Sequence, residues 1–279
     1  MTSTPAPSDS QDRVSLERRD HVLIIRMERA SKRNAVDAAM TEALDAALNL
    51  LDDDPDLWCG IFTGNDVAFS AGTDLANTAG TPTERGGQYG VIKRQRRTPL
   101  IAAVDGLAFG GGFEIVLACD MVVAGRSARF GLPEVARGVL PTCGGLFRAW
   151  HSLPVTVAKQ MALTGRPLSA QRAYELGLVN ELTEDGQSLD GALELAAQVC
   201  DNSPVSVAES LSVMNDLLRV PDELGWQRTT EATDPRGSDW TTRAWSESRR
   251  PRNTSVVTRR AHMAGHTSEL TRYCVGLGR

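Results

Sequence analysis

The stretch with the clearest chemical capacity is Gly110-Gly111-Gly112-Phe113-Glu114. An apolar, strand-like run from Leu100 to Val104 precedes it, and an apolar run that reads as a buried helix follows. Glycines there let another group approach the backbone closely. The N–H groups at a helix start carry partial positive charge and have no partner inside the helix. Such a place suits an anion, or an oxyanion that develops during a reaction. Glu114 falls one turn into the apolar helix, where an unpaired charge is costly. A tight strand-to-helix turn with a satisfied glutamate explains the same residues, so this stretch alone leaves both readings open.

The elements that must position it alternate strand-like and helical patterns. His21-Val-Leu-Ile-Ile-Arg-Met27 is expected to be a strand paired with Val14–Arg18. Asp37 is placed to cap a helix whose apolar positions, Met40, Leu44, Ala47, Leu48 and Leu51, recur with a helical period. Trp58–Gly64, Pro99–Val104 and Met121–Gly125 read as buried strands. Leu189, Ala192, Leu193, Ala196 and Val199 mark one later helix; Val207, Leu211, Met214 and Leu218 mark the next. Thr81 to Gly90 is polar and glycine-rich and is expected to be a mobile loop. Lys93-Arg-Gln-Arg-Arg97 is expected at a helix end, where cations suit the dipole. Repeated strand-then-helix units imply an α/β fold with crossovers.

Composition narrows the function classes. The 279 residues, 41% hydrophobic and 23% charged, are those of a globular chain with ample core. No apolar run is long enough to span a bilayer. Residues 1–12 lack a basic n-region and an apolar h-region, so they read as a disordered tail and not a signal peptide. The five cysteines are scattered, odd in number and without CxxC spacing, and the four histidines have no ligand spacing. That pattern points to reduced thiols in a cytoplasmic protein and to no metal site. Net charge is −5, unevenly spread: from Asp234 onward nine arginines face four acids, a net of +5, which leaves −10 on the rest. An acidic body argues against nucleic-acid binding.

Three spaced pieces acquire meaning together: Phe69-Ser-Ala-Gly-Thr-Asp-Leu75, the triple glycine with Glu114, and Ala128-Arg-Phe-Gly-Leu-Pro-Glu134 followed by Leu140-Pro-Thr-Cys-Gly-Gly145. In their order, and with twenty residues between the two glutamates, the chain resembles the crotonase family, the enoyl-CoA hydratase/isomerase superfamily. The resemblance runs from about Val14 to about Leu218 and takes in Lys32-Arg-Asn-Ala35, Leu163–Ala170 and Gly177-Leu-Val-Asn180.

The resemblance implies an α/β spiral of ββα units closed by C-terminal helices, and an acyl thioester of coenzyme A as substrate. The thioester oxygen would lie between the backbone N–H groups of Thr73 and Gly111. Thr73 stands where the family often has alanine, which is tolerable because only the backbone is used. Glu114 and Glu134 match the positions where the family's hydratases carry glutamates, with Glu114 handling the water and Glu134 giving the C2 proton. Two neighbouring carboxylates can hold one water and exchange protons with it. Lys32, Ala35, Ala71 and Asp74 match the coenzyme A-binding segments, although Lys32 and Arg33 read equally well as a solvated basic loop. Cys143 is expected to be a small packing residue near the site and not a nucleophile. The activity implied is reversible hydration of a 2-enoyl-CoA without metal or redox cofactor. A Δ3–Δ2 enoyl-CoA isomerase and an idle acyl-CoA-binding protein are the alternatives. A homo-oligomer, trimer or hexamer, is implied by the resemblance alone.

The departure is at the C-terminus. Residues 13–220 are assigned to the catalytic domain and 221–279 to an atypical segment, with order expected to fade from about residue 235. The run from Pro235 to Arg252 is rich in arginine, serine and threonine and has no helical apolar stripe. It reads either as a partner-binding tail or as the product of a slipped reading frame.

Overall fold

A computed structural model describes residues 13–233. The expected N-terminal tail and the arginine-rich segment lie outside the described residues. Strands β1 (Val14–Arg19) and β2 (Val22–Met27) form the expected antiparallel hairpin, with Val14 opposite Met27. Helix α1 (Ala38–Asp53) starts where Asp37 accepts a hydrogen bond from the Met40 N–H at 2.9 Å. All five of its periodic apolar residues are buried. There follow β3 (Cys59–Thr63), β4 (Ala68–Ser70), β5 (Leu100–Val104), β6 (Leu107–Phe109), α2 (Gly111–Val116), β7 (Met121–Gly125) and β8 (Arg129–Gly131). The rest comprises α3 (Gly145–Ser152), α4 (Val155–Thr164), β9 (Leu168–Ser169), α5 (Ala170–Glu175), β10 (Glu181–Thr183), α6 (Ser188–Cys200) and α7 (Pro204–Thr233).

The strands form two sheets, one in the order β1-β2-β3-β5-β7-β10 and one in the order β4-β6-β8-β9. Each of β3, β5 and β7 in the larger sheet is followed by a short strand, β4, β6 or β8, in the smaller one. The chain therefore advances as the spiral of ββα units that the resemblance implies. Every residue of β3 and β5 is buried because both sheet faces are covered. One face meets a cluster that includes Ala192 and Ala196 of α6, and the other meets the main core. Such strands read as unbroken apolar runs and not as alternation.

The smaller sheet positions the site. β4, β6 and β8 run parallel, so their C-terminal ends lie along one edge. Residues 71–74, 110–114 and 132–137 leave from those ends, and this brings together groups far apart in sequence.

Two expectations need correction, and a third element is present as expected. The stretch from Thr81 to Gly90 is anchored, not free: Thr83 donates to Asp45 at 2.6 Å, and Tyr89 is buried in the core. Its glycines admit tight turns rather than mobility, and Gly90 packs against the α1 backbone at Asp45. The basic cluster is not placed by a helix dipole. Arg94 is buried between Asp45 and Asp52 of α1, and Arg96 between Asp120 and the Ala118 carbonyl. The second late helix is present, with Met214 and Leu218 on its exposed side. Helix α7 runs unbroken across residue 220, and its end docks on α3. There Trp226 meets the Phe147 ring edge-on at 4.9 Å, and Asp222 pairs with Arg148 at 2.8 Å.

Candidate active site

The segment leaving β4 is stitched to residues 33–36. The Ala71 N–H donates to the Arg33 carbonyl, Val36 N–H to the Gly72 carbonyl, and Asp74 N–H to the Val36 carbonyl, all at 2.8–2.9 Å. Arg29 adds a bond to Asp74 at 2.7 Å and one to the Ala35 carbonyl at 2.9 Å. In such a ladder alternate residues face opposite ways. With Gly72 and Asp74 turned toward Val36, the Thr73 N–H faces away from it. Gly111 opens α2, so its N–H has no acceptor within the helix. The two segments approach closely: Gly72 has φ of 87°, and a Cβ there would lie 2.7 Å from the Gly111 nitrogen. Two free donors thus sit side by side, an arrangement suited to a carbonyl oxygen that gains negative charge.

Glu114, in the first turn of α2, is 2% exposed. Its Oε1 accepts from the Cys143 N–H at 2.7 Å and the Gly145 N–H at 2.9 Å. Burial pushes its carboxyl up to about 7; the Gly145 bond opposes the rise, the nearby Glu134 charge adds to it, and the Cys143 bond opposes it again. Glu134 lies in a 3-10 turn, Pro133–Arg137, beyond β8. Burial also raises its carboxyl, against the pull of its own backbone N–H and of Arg137. Its Oε2 is buried without a hydrogen-bond partner, and its Oε1 lies 3.0 Å from where a Gly110 Cβ would sit. Both carboxyls, Thr73 and Gly111 line one cavity of about 120 Å³. Its floor, with Glu114, Gly111 and Tyr89, is buried, while Ala71, Leu75 and Arg137 border an exposed mouth.

The other expected residues fall around this centre. Lys32 is exposed at the end of the short 3-10 turn Ala30–Lys32, and Ala35 is half-buried beside Arg29. The Asp74 carboxylate is engaged by Arg29, by Asn77 and by the backbone N–H groups of Ala76 and Asn77. That cage holds its pKa well below the usual carboxylate range and uses Asp74 to fix the loop carrying Thr73. Cys143 is buried, and its thiol is pushed up to about 12 by burial and then by the Glu114 charge. A thiol so disfavoured as thiolate is a poor nucleophile. Among the described residues no cluster of His, Cys, Asp and Glu could hold a metal ion, and no helix is long and apolar enough to cross a membrane.

One site residue was missed. Tyr89 adopts a left-handed backbone conformation, φ 57°, and turns its ring onto Gly111, with its hydroxyl 2.7 Å from the Thr73 hydroxyl. A lone aromatic residue inside Gly86-Gly87-Gln88-Tyr89-Gly90 was the available signal.

Residues 17–233 match the family model described as enoyl-CoA hydratase/isomerase. The chain belongs to this family. It is 38% identical over 226 residues to an enoyl-CoA hydratase, EchA19, of Mycobacterium tuberculosis, spanning 77% of this chain and 85% of that one. It is 36% identical over 219 residues to a carnitinyl-CoA dehydratase of Salmonella paratyphi A, spanning 76% and 84%. Among solved structures, a carnitinyl-CoA dehydratase from Mycobacterium avium superposes with a TM-score of 0.78 at 38% identity, covering 86% of this chain and 96% of that one. EchA1_1 of Mycobacterium paratuberculosis gives 0.75 at 40%, covering 79% and 89%. The family match, residues 17–233, takes in the parallel strands β4, β6 and β8 that lead into the site.

Proposed function

We propose that this family member is an enoyl-CoA hydratase, adding water reversibly across the 2,3 double bond of a 2-enoyl-CoA to give the 3-hydroxyacyl-CoA. The observation that carries this reading is two carboxyls, Glu114 buried and Glu134 half-buried with an unpartnered Oε2, facing a single cavity beside two free N–H donors. The thioester oxygen accepts from the Thr73 and Gly111 N–H groups. Glu114, held by Cys143 and Gly145 through Oε1, keeps Oε2 for the water. As the water oxygen bonds to C3, Glu114 takes its proton, the double-bond electrons move onto the thioester as an enolate, and Glu134 supplies a proton to C2. The step begins with one carboxyl ionised and one protonated, a state favoured when two burdened carboxyls share a site. The reaction is redox-neutral acid–base chemistry, so these residues suffice without a cofactor.

The coenzyme A moiety leaves through the exposed mouth, past Ala71 and toward Lys32 and Arg33, where a phosphate would meet positive charge. Self-association belongs to the same reading. Val213, Leu217, Val220 and Leu224 form an exposed apolar stripe on α7, which suits a surface covered by another copy. The unpaired Cys59, Cys119, Cys143 and Cys200 fit a cytoplasmic protein.

Mass spectrometry of products from a panel of 2-enoyl-CoA and 3-enoyl-CoA thioesters tests the reaction. A product heavier by one water supports hydration. Conversion of 3-enoyl to 2-enoyl thioester without hydration would establish the isomerase instead, and tight acyl-CoA binding without turnover the idle binder.

A further inference from the structure

The Thr73 and Tyr89 side chains make a contact that hydration by two glutamates and two N–H groups does not use. Their hydroxyl oxygens are 2.7 Å apart, and either can donate. Thr73 carries one of the two oxyanion donors, and the tyrosine ring lies against the residue that carries the other. A Cβ on Gly111 would lie 2.2 Å from the phenol oxygen and 2.7 Å from Cζ. The phenol is thus packed on Gly111, bonded to Thr73 and part of the cavity floor with Glu114. Tyr89 is 3% exposed and reaches this place through a backbone conformation with φ of 57°, which costs a bulky residue energy unless its surroundings hold it there. Its neighbours Gly87 and Gly90 also have positive φ, so the whole turn is shaped to deliver this side chain.

We propose that the Tyr89 hydroxyl is a third donor to the thioester oxygen, oriented by the Thr73 hydroxyl. This rests on the hydratase reading for its substrate but concerns only the carbonyl end. On binding, the Thr73 hydroxyl donates to the phenol oxygen and the phenol donates to the thioester oxygen. A chain of two such bonds polarises the outer one and strengthens it as negative charge develops. Burial, followed by the neighbouring Cys143 and Glu114, holds the phenol well above its ordinary value of 10.0, so it keeps the proton it needs at neutral pH. No proton is transferred by Tyr89: it donates a hydrogen bond throughout. On this basis Thr73 has a side-chain role, whereas the family resemblance asks only for its backbone.

The test uses the full chain and Tyr89→Phe, which retains the ring and removes only the hydroxyl. The expected result is a fall in kcat of about 10²-fold with KM changed little, the size typical for one lost oxyanion donor. Thr73→Ala should lower kcat by less, and Thr73→Ser should restore it. The second readout is the thioester carbonyl stretch of a bound saturated acyl-CoA, which cannot be hydrated. It should shift to lower frequency on binding to the wild-type protein and recover part of that shift in Tyr89→Phe. A Tyr89→Phe protein with wild-type kcat and an unchanged carbonyl band overturns the proposal, as does a loss confined to KM or melting temperature. If no enoyl-CoA is hydrated but the carbonyl shift still depends on Tyr89, the hydratase reading fails while the third donor stands.

Discussion

Replacing Glu114 with glutamine should make the protein more stable and nearly inactive, with the stability gain set by pH. The carboxyl is 2% exposed, and its pKa is raised from an ordinary 4.5 to about 7, chiefly by burial. Between those two values the folded state keeps a proton on Glu114 that the unfolded chain releases. The unfolded chain binds fewer protons there, so stability falls as pH rises. The protonated carboxyl costs nothing below about pH 4.5, and the full penalty is present above about pH 8. One pH unit corresponds to about 1.36 kcal/mol, so a rise of about 2.5 units amounts to about 3 kcal/mol. Glutamine keeps an oxygen to accept from the Cys143 and Gly145 N–H groups but never ionises. The variant should match the wild type near pH 4.5 and exceed it by about 3 kcal/mol at pH 8, or about 6–12 °C in Tm for a chain of this size.

Urea denaturation of both proteins from pH 4.5 to 8.5 measures this directly. The two curves should meet at the acid end and diverge as pH rises. Parallel curves, or a variant less stable at pH 8, would show that burial does not raise this carboxyl. The same protein should lose turnover by about 10²–10⁴-fold, the usual cost of a missing acid–base group, while still binding acyl-CoA. A variant that is more stable and as active as the wild type would remove Glu114 from the chemistry.

Other perturbations address the rest of the site. The wild-type kcat/KM should fall about tenfold per pH unit above about 7, because the proposed step needs one proton held between the two carboxyls and the pair loses it there; a rate–pH profile checks this. Glu134→Gln should lower kcat by about 10²–10⁴-fold and abolish the fall above about pH 7, since only Glu114 is left to titrate and it acts ionised; an unchanged fall would mean the two carboxyls do not share a proton. Gly111→Ala should abolish turnover in a folded protein, because the new Cβ would lie 2.2 Å from the Tyr89 hydroxyl; circular dichroism with steady-state assays separates the site effect from misfolding. Gly225→Ala should destabilise by about 1–3 kcal/mol despite alanine's better helix propensity, since its Cβ would lie 2.3 Å from the Phe147 ring; a raised Tm would show that α7 docks differently.

What could be read in advance follows from the range of the interactions involved. Helix α1 was legible because its cap and apolar period are local: Asp37 and Met40 lie three residues apart. The buried strands were legible because covering both faces leaves unbroken apolar runs such as Leu100–Val104. The Arg94 and Arg96 pairings were not, because their acids lie 24 to 49 residues away and nothing local distinguishes a paired arginine from a solvated one. The Thr81–Gly90 loop misled for a related reason. Glycine-rich polar sequence signals unusual backbone angles, but it does not say whether those angles release the chain or aim a side chain. Here they aim one, and the ring they deliver lands on Gly111.

The exposed stripe on α7 marks the limit from the other side. Periodicity placed the helix, yet Val213, Leu217, Val220 and Leu224 have no cover within residues 13–233. An apolar period reports that a face is to be buried, not what buries it. The site depends little on that outcome. Thr73, Gly111, Glu114 and Glu134 are delivered by three parallel strands whose ladders close within this chain. The end of α7, however, reaches the site's support. Arg148 on α3 bonds Asp222 of α7 and the Ile92 carbonyl beyond the Tyr89 turn, and α3 begins at Gly145, whose N–H holds Glu114. A second copy seated on the α7 stripe would therefore act on the helix that clamps α3. Its effect should appear first in how firmly Glu114 is held, rather than in the oxyanion donors.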